Sequence, residues 1–172
     1  MPIFPGGLVA NVYQSLDAYL RTAIITGMGL ALQLPGSRRF VPPPEEPWVT
    51  ADYSLLTMER SFKRHIGGSR LGTEVSGLLS LAIYQQARIF ATDYLRGLAA
   101  LRDTLLGYFP ESGMLPIYDF LQVSGTPPSD PPQVAALYIE MVNDQVLDQG
   151  ETSGVVCWQI QPTLRYLEEF TR

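Results

Sequence analysis

Apolar residues recur at Leu8, Val12, Leu16, Leu20, Ala23 and Ile24, while Gln14, Asp17 and Arg21 fall on other faces. Steps of three and four residues build one apolar stripe, so the spacing predicts an amphipathic helix over about 8–26. Gly27 and Gly29 weaken the pattern, and Pro35-Gly36 ends whatever continues. A second stripe, Phe90, Tyr94, Leu98, Leu101, Leu105 and Tyr108, predicts a helix over about 88–109, stopped by Pro110. Its wet face takes Arg88, Asp93, Arg96, Arg102 and Asp103.

Between the stripes the period shortens. The pieces "RRFV" and "PWVTADYSLL" flank a proline bridge and read as strand, stiff loop, strand, because Trp48, Val49, Thr50 and Tyr53 favour extended backbone. "MERSFKRHIGGSRLG" and "TEVSGLLSLAIYQ" follow as the arms of a long hairpin with Gly67-Gly68 at its tip. In the second arm Val75, Gly77, Leu79, Leu81 and Ile83 alternate with Ser76, Leu78, Ser80, Ala82 and Tyr84. Leu78 and Tyr84 break the alternation, which implies that this strand is partly covered on both faces.

Beyond the second helix, Tyr118 to Val123 reads as a short strand and "SGTPPSDPPQ" as an irregular loop. "VAALYIEMV" and "SGVVCWQIQPTLRYL" can pair as a hairpin across "NDQVLDQGET", although Val134 to Val142 also suits a helix. The pattern predicts a single α+β domain over 1–172, with a mostly antiparallel sheet, a long hairpin and two amphipathic helices on one face. The sheet and hairpin occupy about 38–85 and the C-terminal strands about 117–167.

Composition adjusts this picture. A length of 172 residues suits one core. Only 17% of residues are charged, against about 25% in an ordinary soluble domain, so part of the apolar surface is expected to serve partners. No apolar run is long enough to span a membrane, and "MPIFPGGLVAN" lacks the features of a signal peptide. Cys157 stands alone, which excludes an intrachain disulfide and gives no reason for secretion. Residues 1–102 carry a net charge of +3 and residues 103–172 one of −8 within the total of −5, an asymmetry suited to head-to-tail contact between identical subunits.

Motifs for chemistry are missing. One histidine, His65, and one cysteine cannot build a multi-histidine zinc site or a zinc ribbon, and HExxH and paired CxxC are absent. "GGSRLG" would offer Ser69 beside His65, but Leu71 stands where G-x-S-x-G needs its second glycine. "GMGLAL" has Leu32 where the dinucleotide fingerprint needs glycine, and Lys63, the sole lysine, belongs to no phosphate loop. Glu45, Glu46, Glu168 and Glu169 read as solvated faces, since neighbouring acids alone do not make an acid/base pair. The expectation is a protein without enzymatic activity, cofactor or metal.

One positive feature is a basic hairpin, Arg60, Lys63, Arg64 and Arg70 with His65, close to Arg38 and Arg39. Such charges discourage unwanted pairing at a sheet edge, or they meet phosphate or an acidic partner. A pI near 4.8 and the lack of interleaved aromatics beyond Phe62 disfavour sequence-specific nucleic-acid binding. Beside the hairpin, Pro42, Pro43, Pro44, Glu45, Glu46 and Trp48 form a rigid corner, read as a preformed contact loop.

The order of parts resembles the tail terminator proteins of long-tailed bacteriophages. There a helix leads into an F-x-P stretch, an aromatic strand, a hairpin with a glycine before a strand that ends in a Y-x-x turn, and a helix packed on the sheet. Phe40, Pro42, Trp48, Gly72, Tyr84 and the helix from Arg88 match that layout, over roughly residues 8–109. "YQQARIF" is more abrupt than the family's turn, and the proline-rich stretch Thr126 to Pro132 is longer. The resemblance implies a homo-hexameric ring that caps the tail tube and joins the head-side connector or stopper protein. It would also meet a sheath protein in a contractile tail, let DNA pass through its pore, and reside in the virion after assembly in the host cytoplasm. The alternatives are another neck or tail joint protein, of head-completion or tube-like type, or a small hydrolase using His65.

Overall fold

A computed structural model describes residues 7–43, 46–53, 59–65, 70–86, 91–120, 130–149 and 154–171. Helix α1 (Gly7–Leu20) runs directly into a π-helical segment, Arg21–Gly27. Then come β1 (Ala31–Gln33), β2 (Trp48–Asp52), β3 (Glu59–His65), β4 (Arg70–Leu78) and β5 (Ser80–Gln86). Helix α2 (Ala91–Tyr108), β6 (Met114–Tyr118), β7 (Gln133–Gln149) and β8 (Val155–Thr171) complete the chain. The fold is α+β and mostly β, with one curled mixed sheet and two helices.

The sheet is organised around β8. On one side of it β5 and β4 lie end to end, from Gln86 opposite Val155 to Arg70 opposite Thr171. Between them, at Leu79, the ladder is interrupted opposite Pro162. Proline has no amide hydrogen to give a ladder partner. Only one bond survives there, from the Leu79 amide to the Pro162 carbonyl at 3.0 Å. The interruption lets the two halves diverge: β3 continues the sheet beyond β4, and β2 and β1 continue it beyond β5. On the other side β8 pairs with β7, and β7 with β6.

The main core lies between this sheet and the helices. Val12, Leu16, Leu20, Ala23 and Ile24 from the N-terminal helix, and Leu98, Leu105 and Phe109 from the α2 region, meet Val49, Val75, Leu79, Leu81, Ile83, Ile139, Ile160 and Leu164. From Val12 to Ile24 the apolar stripe that marks the first helix in the sequence is therefore the stripe that is buried. Helical structure does extend to Gly27, but its last part is π-helical, with the Met28 amide bonding back to the Ala23 carbonyl at 3.0 Å. Gly27 lies against the Tyr108 ring where a side chain would collide, and Gly29 turns the chain into β1 at φ +69. The Tyr19 hydroxyl ties the two helices together by donating to the Tyr108 carbonyl at 2.5 Å.

Helix α1 also finishes one edge of the sheet. Ser15 Oγ accepts from the Tyr118 amide at 2.9 Å, and Asn11 Oδ1 accepts from the Phe120 amide at 3.3 Å. Four helical residues rise about 6 Å and two strand residues about 6.6 Å. Asn11 and Ser15 consequently match alternate edge amides of β6 and the residues after it. Asn11 Nδ2 donates in turn to Asp119 Oδ1 at 3.2 Å, and all three side chains are buried.

Several sequence expectations are corrected. Arg38–Val41 is not a strand; the strand before the proline bridge is β1, three positions long, and it runs parallel to β2 with Ala31 opposite Trp48. Parallel neighbours need a crossover of about a dozen residues, so the bridge returns the chain to the start of β1 and is not a corner between antiparallel strands. The strand expected at Tyr118–Val123 lies at Met114–Tyr118 instead, and residues 121–129 fall outside the described set. Val134–Val142 is strand, and pairing continues to Gln149 through residues expected to form the loop. Backbone bonding to β6 and β8 overrides helix propensity there. The tip with Gly67-Gly68 lies outside the described residues.

Candidate assembly surface

Strand alternation gives the sheet a second face. Opposite the helices stand Leu78, Met114, Tyr138 and Met141, which are 41%, 63%, 45% and 49% exposed. Register brings them together: Met114 pairs with Tyr138, while Met141 and Leu78 flank Thr163 on either side of β8. Directly opposed residues share a face, and the neighbours Leu115, Leu137, Ile139 and Leu164 all point into the core. The rim is acidic. Glu111 is exposed and accepts from the Val142 amide at 3.4 Å, and Glu140 pairs with Arg165 at 2.9 Å.

Further along the same face is a small second core. Trp48 and Tyr84 are cross-strand partners with nearly parallel rings, centroids 5.5 Å apart. Tyr84 in turn opposes Cys157, and Trp48, Ala82 and Cys157 are buried outside the main core. Burial, with Cys157 beside it, pushes the Tyr84 phenol above its ordinary range. Trp48 is only 7% exposed, so its expected role as an outward contact residue is corrected: the ring is spent on Tyr84.

The other proposed contact residues divide between two places. In the crossover loop Pro42 and Glu46 are exposed and Pro43 is half-buried, whereas Pro44 and Glu45 lie outside the described residues. The loop's most prominent apolar side chain is one the sequence reading did not single out, Val41, at 82% exposure. Arg38 and Arg39 beside it are exposed. The loop also walls an open depression of about 650 Å³ against β1 and β2, lined by Gln33, Ser37, Arg38, Thr50 and Asp52 among others. No histidine, cysteine or pair of carboxylates lines it.

Arg60, Lys63 and Arg64 lie on β3, at the end of the sheet path, and Arg70 begins β4. A register irregularity between Ser61 and Lys63 places Arg60 opposite Val75, Lys63 opposite Thr73 and Arg64 opposite Gly72. Across β4, Thr73 faces Glu168 and Gly72 faces Glu169. Two strand spacings are about 10 Å, comparable with the Debye length of roughly 8 Å. Register therefore brings positions 168 and 169 of β8 to within two strands of positions 63 and 64 of β3.

His65 is on β3 opposite Leu71, Ser69 lies outside the described residues, and among the described residues no group of three or more His, Cys, Asp or Glu side chains could hold a metal. The densest polar cluster is a joint between α2 and the β7–β8 hairpin. Arg102 donates to Asp144 at 2.8 Å and to Asp103 at 2.5 Å, and Trp158 Nε1 donates to Asp144 at 3.2 Å. The guanidinium sits 5.8 Å from the Trp158 ring centroid, and the bonds to Asp103 and Asp144 raise its pKa. Its groups hold one another.

No described helix is long and apolar enough to cross a membrane. No protein-family model matches the chain, and no curated protein matches it either.

Proposed function

We propose that this chain is a structural assembly subunit of the tail-terminator type. Copies of it close into a ring that caps a phage tail tube and joins it to the head-side connector or stopper protein. The observation that carries the reading is the bare face of the sheet. Two helices cover one side, and the other presents Leu78, Met114, Tyr138 and Met141 to solvent beside the Arg165–Glu140 ion pair. Interface centres are depleted in charge and enriched in Met and aromatic residues. The order of helix, proline loop, aromatic strand, hairpin and helix supports the tail-end assignment in particular. On this reading the chain carries no catalytic residue and acts through shape.

Purified protein mixed with tail tubes and viewed by negative-stain microscopy should show a ring at one tube end, with a mass above one chain by light scattering. Capsid portals should not bind it in place of tubes; binding to portals alone would assign it to head completion. Monomers with and without tubes would end the proposal. Charge reversal at Arg60 and Arg64 should weaken assembly or DNA passage more than folding; unchanged assembly with an altered melting temperature would assign these residues to stability.

A further inference from the structure

Among the described residues, the outer side of β6 is met by side chains of α1 and not by another strand. Along a strand, successive amides point to alternate sides. The Asp119 amide points to the β7 side, where it donates to the Pro132 carbonyl at 2.9 Å. Tyr118 and Phe120 therefore direct their amides outward, to Ser15 Oγ at 2.9 Å and Asn11 Oδ1 at 3.3 Å. By the same alternation the next outward position is 116, and it holds a proline, which has no amide hydrogen to present. The closure continues on β7 past the end of β6. The Ile139 amide donates to the Gly113 carbonyl at 2.9 Å, and the Val142 amide to Glu111 Oε1 at 3.4 Å.

We propose that Asn11, Ser15 and Pro116 form an edge guard, which keeps a second copy from adding its own β6 to this side of the sheet. An uncapped edge is a template for another chain's strand, and two copies can share one by pairing antiparallel about a two-fold axis. Helix α1 is already anchored by Val12, Leu16 and Leu20. Asn11 and Ser15 are buried beside that stripe, and their oxygens face strand amides. The hydroxyls of Thr22 and Thr104, by contrast, turn back to the Ala18 and Ala100 carbonyls of their own helices. Asn11 Nδ2 donates to Asp119 Oδ1 at 3.2 Å, which fixes the side chain so that its oxygen meets the Phe120 amide. Such a guard acts whether copies close into a ring through other surfaces or stay single.

The double variant N11A/S15A uncaps both amides. At low concentration its Tyr118 and Phe120 amides should exchange with deuterium about tenfold faster than in the wild type, as expected for one ordinary hydrogen bond lost. As concentration rises, its average mass by light scattering should reach about twice the wild-type value at the same concentration. Protection of the two amides should then return, because the second copy supplies their acceptors. Leu164→Ala is the control: it lowers stability through the core and leaves the edge capped, so its mass should follow the wild type. Equal association by Leu164→Ala would mean that lost stability and not an open edge drives it, and would overturn the proposal. A folded double variant whose mass follows the wild type overturns it too. If the double variant does not fold, Ser15→Ala opens the Tyr118 amide alone, and S15A/P116A opens a run of two outward amides. Association and renewed protection at Tyr118 should increase in that order, and no increase in either variant rules the guard out.

Discussion

On the helix side of the sheet Val75, Ile139 and Leu164 are sealed from solvent, while their immediate neighbours Ser76, Tyr138 and Thr163 on the same strands are exposed or half-exposed. The backbone and its hydrogen bonds are common to both sides. What differs is the cover: α1, the π-helical segment and α2 complete one face, and at Leu78, Met114, Tyr138 and Met141 the other is left open. An apolar side chain on the first face holds the subunit together. On the second it is available to a neighbour, so the two faces should respond to substitution in opposite ways.

The largest effect is expected on the covered side. Leu164→Ala should cost about 2–5 kcal/mol, the usual range for a truncated buried leucine, read as a lower urea midpoint, with the protein that remains folded still self-associating. Loss of association without loss of stability would break the comparison. Next is the polar seam between α1 and the β6 edge. Asn11→Ala removes the acceptor of the Phe120 amide and the donor to Asp119, for about 1–3 kcal/mol. Hydrogen exchange should rise first at Phe120.

Smaller changes follow. Arg102→Ala should cost on the order of 1 kcal/mol in chemical denaturation, because ion pairs and cation–π contacts of half-exposed groups are modest. At Tyr53, burial first and then the hydrogen bond to Asp17 raise the phenol above its ordinary 10.0. The folded state thus holds that proton more tightly than the unfolded chain. Its contribution is complete below pH 10.0 and falls as pH rises beyond it, so Tyr53→Phe should flatten the alkaline decline in melting temperature. Tyr19 and Tyr84 shift in the same direction and should keep the decline from vanishing. Last, on the open face, Met141→Ser should leave stability within about 0.5 kcal/mol and weaken self-association, measured by light scattering against concentration.

Much of this was legible along the chain. Both helices follow from their apolar stripes, since a helix buries one stripe whatever it packs on. The exceptions at Leu78 and Tyr84 implied a strand partly covered on both faces; Tyr84 is stacked on Trp48, whereas Leu78 is 41% exposed. Trp48 misled because an aromatic beside prolines looks like a contact residue, and only the register with Tyr84 reveals its partner. Asn11 and Ser15 carried a signal, two polar residues one turn apart beside a buried stripe, but their partners lie more than a hundred residues away. Met114 and Met141 gave little sign, because methionine suits a core as well as a surface.

Local pattern along the chain was enough for the α+β class, the two helical faces, the single histidine and cysteine, and the punctuation by proline and glycine. These depend on local spacing and residue chemistry, which need no knowledge of distant partners. Strand pairing had to be seen to learn that the proline bridge is a crossover between parallel strands, that Pro162 interrupts the ladder at Leu79, and that positions 168 and 169 pair with β4 opposite Thr73 and Gly72. It also decided which face of the sheet stays open. Each is a matter of strand pairing across long stretches of chain, where register, and not the identity of any one residue, sets which side chains meet.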